Sequence, residues 1–213
     1  MRNVPVDFVQ MSLSTVTSPE HDGVGHALDD IVRDYQQRGD VPQLLQRVSV
    51  LAAASPTSAL AHAVEQYLEM HEIAGPIYEV IVEREPQNAR ALVVLANAYW
   101  LTGRGPDVVA ALASRALASD PTNRAAWHLW ALTEPSPRAR VQRWQHVSAR
   151  FPDDELASAN LADNAAALAG AEDDPVALKL AITTYESLRA TASRPEQVAA
   201  LDNALRTLRN LRR

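Results

Sequence analysis

The sequence predicts an all-α protein, a right-handed solenoid of about five helix–turn–helix repeats closed by a C-terminal capping helix. Three observations lead to this prediction. Prolines recur at the spacing of a helical hairpin, apolar residues recur at helical intervals, and glycine is sparse, with 7 residues in 213. The abundance of alanine and leucine fits close-packed helices, because alanine loses no side-chain entropy in a helix.

The prolines form two sets that mark the ends of the predicted helices. Proline fits the first turn of a helix and ends a helix that precedes it. Four prolines close apolar segments, and each is followed within two residues by Ser, Asn or Asp, which cap a following helix. These are Pro56, Pro86, Pro121 and Pro152, separated by 30, 35 and 31 residues. Five others are expected to open the second helix of a hairpin: Pro42, Pro76, Pro106, Pro137 and Pro175.

Apolar spacing places the helices between these prolines. Residues at positions i, i+3, i+4 and i+7 share one helix face, and two segments show this pattern. They are Leu60, Ala63, Val64 and Tyr67, and then Leu92, Leu95, Ala96 and Tyr99. The predicted hairpins are 24–55, 58–85, 89–120, 124–151 and 154–192, followed by a helix that Pro195 opens.

Three regions follow from this division of the chain. Residues 1–22 precede the repeats, and we expect an extended or disordered N-terminal arm there. Residues 23–193 hold the helical hairpins, and residues 194–213 form the capping helix.

Residues 89–123 resemble a tetratricopeptide repeat. Leu92, Leu95, Ala96, Tyr99 and Gly103 match the first helix and turn of that family. Ala116 and the pair Asp120-Pro121 match the end of its second helix. The resemblance implies a superhelix whose first helices line a concave groove that holds another protein.

Charge and composition exclude several classes of function. Residues 1–86 contain 5 basic and 13 acidic side chains, a formal charge of −8, so we expect no nucleic-acid partner. The chain has no cysteine, which excludes thiolate catalysis and thiolate metal sites. No apolar run approaches the ~18 residues of a membrane span, so we expect a cytoplasmic protein without membrane insertion. Arginine far outnumbers the single Lys179, which suggests a GC-rich bacterial genome.

Candidate catalytic and cofactor motifs are incomplete. His71-Glu72 begins the zinc-protease pattern HExxH, but residue 75 is glycine where the second histidine should stand. The acidic pairs Asp29-Asp30 and Asp173-Asp174 are assigned to helix starts, where they complement the helix dipole. We therefore expect no enzyme activity, no cofactor and no metal.

The inner face of the third hairpin's first helix is the candidate binding surface, together with two residues of the next hairpin. The predicted groove residues are Arg90, Val93, Asn97, Trp100, Leu101, His128 and Leu132. Trp100 has a second interpretation, because it could instead complete a core formed by the tryptophans at positions 127, 130 and 144. Val93 and Leu129 stand where the carboxylate clamp of chaperone-binding members has Lys and Asn, which favours a ligand anchored by side chains.

The leading functional hypothesis is a non-catalytic adaptor or scaffold that binds a segment of a partner protein in this groove. The alternative is an accessory or assembly subunit of a larger multiprotein complex, which would use the convex face and the N-terminal arm. An enzyme with an unrecognised site ranks below both, because no set of catalytic side chains is complete.

Overall fold

The computed structural model describes residues 19–211, in which eleven α-helices follow one another and no strand occurs. The helices are α1 (Pro19–Arg38), α2 (Val41–Ala54), α3 (Thr57–Val64), α4 (His71–Arg84), α5 (Ala89–Leu101), α6 (Pro106–Ser119), α7 (Arg124–Leu132), α8 (Pro137–Arg150), α9 (Glu155–Glu172), α10 (Pro175–Thr191) and α11 (Pro195–Leu211). A short 3-10 turn, Glu65–Tyr67, continues α3. Within this range no helix is both long and apolar enough to cross a membrane.

Consecutive helices pair into five hairpins, each packed on the next, and α11 packs on α10 at the end. The predicted all-helical repeat fold with a final helix opened by Pro195 is therefore confirmed. Helix α1 begins at Pro19, inside the segment assigned to the N-terminal arm. The rest of that arm, residues 1–18, lies outside the described residues.

Side-chain caps begin the first helices of the last three hairpins, as the sequence predicts. Asn88, Asn123 and Asp154 each accept a hydrogen bond from a backbone N–H three residues later, at 3.0 to 3.1 Å. Each cap satisfies one of the N–H groups that a helix leaves without an internal partner. The prediction is wrong at the second hairpin, where α3 begins at Thr57, before the predicted cap Ser58, and the N-cap residue is Pro56.

Two further expectations are corrected. Pro76 lies inside α4, which begins at His71 because the Met70 carbonyl already accepts the first helical hydrogen bonds. Asp29 lies in the middle of α1 and accepts hydrogen bonds from the Tyr67 hydroxyl at 2.6 Å and from the Gln66 amide at 3.0 Å. This carboxylate ties two helical segments together, a contact that local spacing could not reveal. Asp174 does cap α10, as expected.

Buried side chains form two apolar cores that meet in α7. The first core extends from Val24 to Leu129, and the second extends from Ala131 to Leu208. Trp130, between them in sequence, packs against both. Helix α7 therefore joins the two halves of the described chain.

Candidate functional site

An open groove of about 700 Å³ crosses the first helices of the third, fourth and fifth hairpins. Helix α5 provides Val93, Val94, Asn97 and Leu101. Helix α7 provides Ala125, His128, Leu129 and Leu132. Helix α9 adds Leu156 and Asn160, and α8 adds Trp144. Leu68 and Glu69, which precede α4, and His71, its first residue, complete the lining. The surface is apolar for most of its length, with polar groups at intervals.

The structure brings five of the seven predicted groove residues together in this lining: Val93, Asn97, Leu101, His128 and Leu132. Counted at 100° per residue, the lining residues of α5 cover an arc of about 100° of the helix surface. Trp100 falls just outside that arc, is 38% exposed, and belongs to neither core. Arg90 lies within the arc but in the first turn of α5, before the groove begins.

Arg90 forms an ion pair with Glu65 of the preceding hairpin. Its guanidinium donates a hydrogen bond to Glu65 at 2.6 Å, which raises the pKa of Arg90 above its usual value. The ion pair joins α5 to the 3-10 turn of the preceding hairpin.

His128 connects two walls of the groove. Its Nε2 lies 2.8 Å from Oδ2 of Asp154, whose side chain is only 6% exposed. The other carboxylate oxygen of Asp154 accepts the N–H of Ala157 and so caps α9. One buried carboxylate thus holds the N-terminus of α9 and the His128 ring on α7. The sequence predicts Asp154 as a cap but contains no signal for its contact with a histidine 26 residues earlier.

Trp144 forms the floor of the groove. It is 1% exposed, and its indole ring contacts the His128 ring edge to face, with centroids 5.4 Å apart. Its N–H has no hydrogen-bond partner in the described part of the chain. Sequence reasoning assigned Trp144 to the core and missed that the same ring also lines the groove.

The other two tryptophans stabilise the junction of α7 and α8. Trp127 and Trp130 contact each other edge to face at 5.3 Å, and the Trp127 N–H donates to the Pro121 carbonyl. The Arg143 guanidinium stacks 4.4 Å above the Trp130 ring. Both tryptophans are partly buried and neither belongs to the groove lining.

Three polar side chains of the lining, Glu69, His71 and Asn97, have no partner among the described residues. His71, at the start of α4, is partly buried. Glu69 is exposed and forms no ion pair among the described residues, and it is the one Asp, Glu, Lys or Arg in the lining. Asn97 is also exposed, and its amide has no partner within residues 19–211. In the same range no three or more His, Asp or Glu side chains are grouped as metal ligands.

Comparison with known proteins identifies similar structures. No family model matches the chain, and no curated protein matches it. The crystal structure of MamA protein is similar with a TM-score of 0.55 at 15% identity, covering 82% of this chain and all of that one. The thermophilic TPR protein TTC0263 of Thermus thermophilus is similar with a TM-score of 0.54 at 15% identity, covering 85% of this chain and 98% of that one. The chain therefore has a tetratricopeptide-like fold, as the pattern in residues 89–123 implied.

Proposed function

We propose that the chain is a non-catalytic adaptor or scaffold that binds a segment of a partner protein in the groove across α5, α7 and α9. The observation that carries this proposal is an open, apolar groove of about 700 Å³ that the described chain leaves uncovered. Leu101 and Leu156 in its walls are 55% and 61% exposed. Exposed apolar side chains grouped in a concave surface are typical of binding sites.

The dimensions of the groove favour a polypeptide over a small molecule. Helix α5 packs on α7, and α7 meets the start of α9 through the contact of His128 with Asp154. At roughly 8–10 Å between adjacent helices, a path across the three is about 20 Å long. An extended segment of about six residues covers that distance. The free amide of Asn97 can both donate to and accept from a peptide backbone. The proposed contacts are Val93, Asn97, Leu101, His128 and Leu132, whereas Arg90 and Trp100 would touch only a ligand that extends beyond the lining.

The chemistry of the lining supports a binding role rather than a catalytic one. Its residues include no Ser, Thr, Tyr or Lys that could act as a nucleophile. His128, whose Nε2 contacts Asp154, therefore has no Ser, Thr, Tyr or Lys in the lining to activate as a general base would. The acidic charge of residues 1–86 supports the absence of a nucleic-acid partner, and the preference for arginine over lysine supports a bacterial source. A cytoplasmic location is part of the same proposal.

Charge insertion into the groove tests this proposal. A library of random peptides of about 12 residues, displayed on their own mRNA, would be selected on the full chain. Leu101→Asp and Leu156→Asp place a carboxylate on exposed groove positions, so we expect selected peptides to bind these variants at least ~10-fold more weakly. Val108→Asp and Val176→Asp are matched controls, because these valines are 45% and 76% exposed and lie outside the lining.

The control variants should bind the peptides as the wild type does, and all four variants should keep its thermal unfolding temperature. Failure to select any peptide would contradict the proposal. Equal losses in the groove and control variants would contradict it as well.

The alternative of an accessory subunit has one observation in its favour. Val50 on α2 is 65% exposed and borders a concavity of about 620 Å³ between α1 and α2, which Leu51 and Ala54 also line. A subunit that normally buries this surface should self-associate when isolated. Light scattering after size exclusion should then show oligomers that Val50→Asp disperses, and a monomeric wild type at high concentration would count against the alternative.

A further inference from the structure

We propose that the segment bound in the groove carries a lysine or arginine beside its apolar residues, and that Glu69 selects this basic residue. The inference rests on the proposed function and adds the chemistry of the partner. Glu69 lies at one end of the groove, between the 3-10 turn and α4, where its carboxylate is exposed.

The arginines in the first turns of α5 and α7 are held by carboxylates other than Glu69. Arg90 is held by Glu65 at 2.6 Å, and Arg124 lies 3.6 Å from Asp154. The lining contains no Lys or Arg of its own. A carboxylate without an intramolecular partner beside an apolar wall attracts a cationic side chain from a ligand.

The part of the chain that contains Glu69 is negatively charged overall, like Glu69 itself. Residues 1–86, which include Glu69, carry a formal charge of −8, whereas residues 87–213 carry 15 basic and 13 acidic side chains. The summed electric field of residues 1–86 therefore favours the approach of a basic segment and opposes the approach of an acidic one. A ligand that presents a free carboxylate would face Glu69 without any Lys or Arg in the lining, whose other ionisable side chains are His71 and His128.

The positions of polar and apolar groups along the groove also predict the direction in which the bound segment lies. Glu69 stands at the α4 end, and the exposed Leu156 stands at the α9 end. Asn97 lies on α5, between these two ends, and can bond to the ligand backbone. The basic residue of the ligand would therefore lie toward α4 and its apolar anchors toward α7 and α9.

The test repeats the peptide selection with the random 12-residue library on the wild type and on Glu69→Lys. Wild-type protein should enrich peptides that combine apolar residues with Lys or Arg. These peptides should bind Glu69→Lys roughly 5- to 10-fold more weakly, because reversal of the charge replaces attraction by repulsion. Their affinity for the wild type should fall as salt rises from about 50 to 500 mM. Glu83→Lys is the matched control, since Glu83 is exposed on α4 outside the lining.

The outcomes separate this inference from the proposed function. Selected peptides that require Leu101 but show no enrichment in Lys or Arg, or that bind Glu69→Lys as well as the wild type, would overturn the inference and leave the function standing. An equal loss of peptide affinity in Glu83→Lys would also overturn the inference. General attraction to the negative charge of residues 1–86 would then explain the binding. If no peptide is selected, the proposed function fails first.

Discussion

The two apolar cores of the chain are built differently. Ten of the twelve largest fully buried side chains belong to the first core, and they are Leu, Ile and Val. The second core contributes only Trp144 and Val147 to that group, surrounded by alanines of α7, α9 and α10. The first core thus spreads its burial over many aliphatic side chains, whereas the second combines one indole ring and several alanines with five aliphatic side chains, Val141, Val147, Leu161, Leu168 and Leu208.

This difference matters for the groove because its walls come from both cores. Helix α5 belongs to the first core and α9 to the second, with α7 between them. In repeat arrays each hairpin contacts only its neighbours, so a local defect need not spread through the whole chain. The contact of His128 with Asp154 therefore helps to keep α9 aligned with α7.

Removal of Trp144 should have the largest effect. We expect Trp144→Ala to lower the free energy of unfolding by about 3–5 kcal/mol, because it opens a cavity in the smaller core. Hydrogen exchange should accelerate in α8, α9 and α10 and change little in α1 to α4. Trp100→Ala, the same change at a residue 38% exposed, should cost less than about 1 kcal/mol.

A matched cavity in the first core sharpens this test. Leu92→Ala should cost about 2–5 kcal/mol and should accelerate exchange in α4, α5 and α6. Equal acceleration along the whole chain in both variants would show that the two cores unfold as one cooperative unit.

Loss of Asp154 should have an intermediate effect at the junction of the two cores. Asp154→Ala removes the cap of α9 and the partner of His128, and we expect it to cost about 1–2 kcal/mol. Asn123→Ala is a useful comparison, because it removes the cap of α7 but no second contact. Chemical denaturation should rank Asp154→Ala as the more damaging variant, and the reverse order would show that the contacts of Asp154 with His128 and Arg124 add no stability.

A smaller effect, which depends on pH, concerns two tyrosines that pack against the first core. Burial and the hydrogen bonds to Asp29 and Glu79 raise the pKa values of Tyr67 and Tyr99 to about 12, from about 10 in the unfolded chain. A raised pKa in the folded state means that the stabilisation is complete below pH 10 and is lost as the pH approaches 12.

Tyr67→Phe and Tyr99→Phe should therefore each cost about 1 kcal/mol at pH 8. At pH 11 the difference from the wild type should shrink, and urea denaturation at the two pH values measures it. A difference that does not depend on pH would show that the two hydroxyls do not titrate as expected.

The sequence by itself determined the repeat architecture, because that architecture depends on local rules. Apolar intervals place the faces of helices, and proline marks their boundaries. Asn88, Asn123 and Asp154 could be recognised as caps because a cap acts on backbone groups only two or three residues away. Where a boundary depended on a neighbouring segment, as at Pro76 in α4, the local rule failed.

Only the tertiary structure decided how individual side chains are used. Trp100 and Trp144 are the same residue type on neighbouring hairpins, yet one lies outside both cores and the other forms the floor of the groove. Likewise, His128 contacts a carboxylate 26 residues away in sequence. Such roles depend on the packing of α7 against α8 and on the position of α9, and the spacing of residues along one helix does not specify which side chain of another helix will meet it.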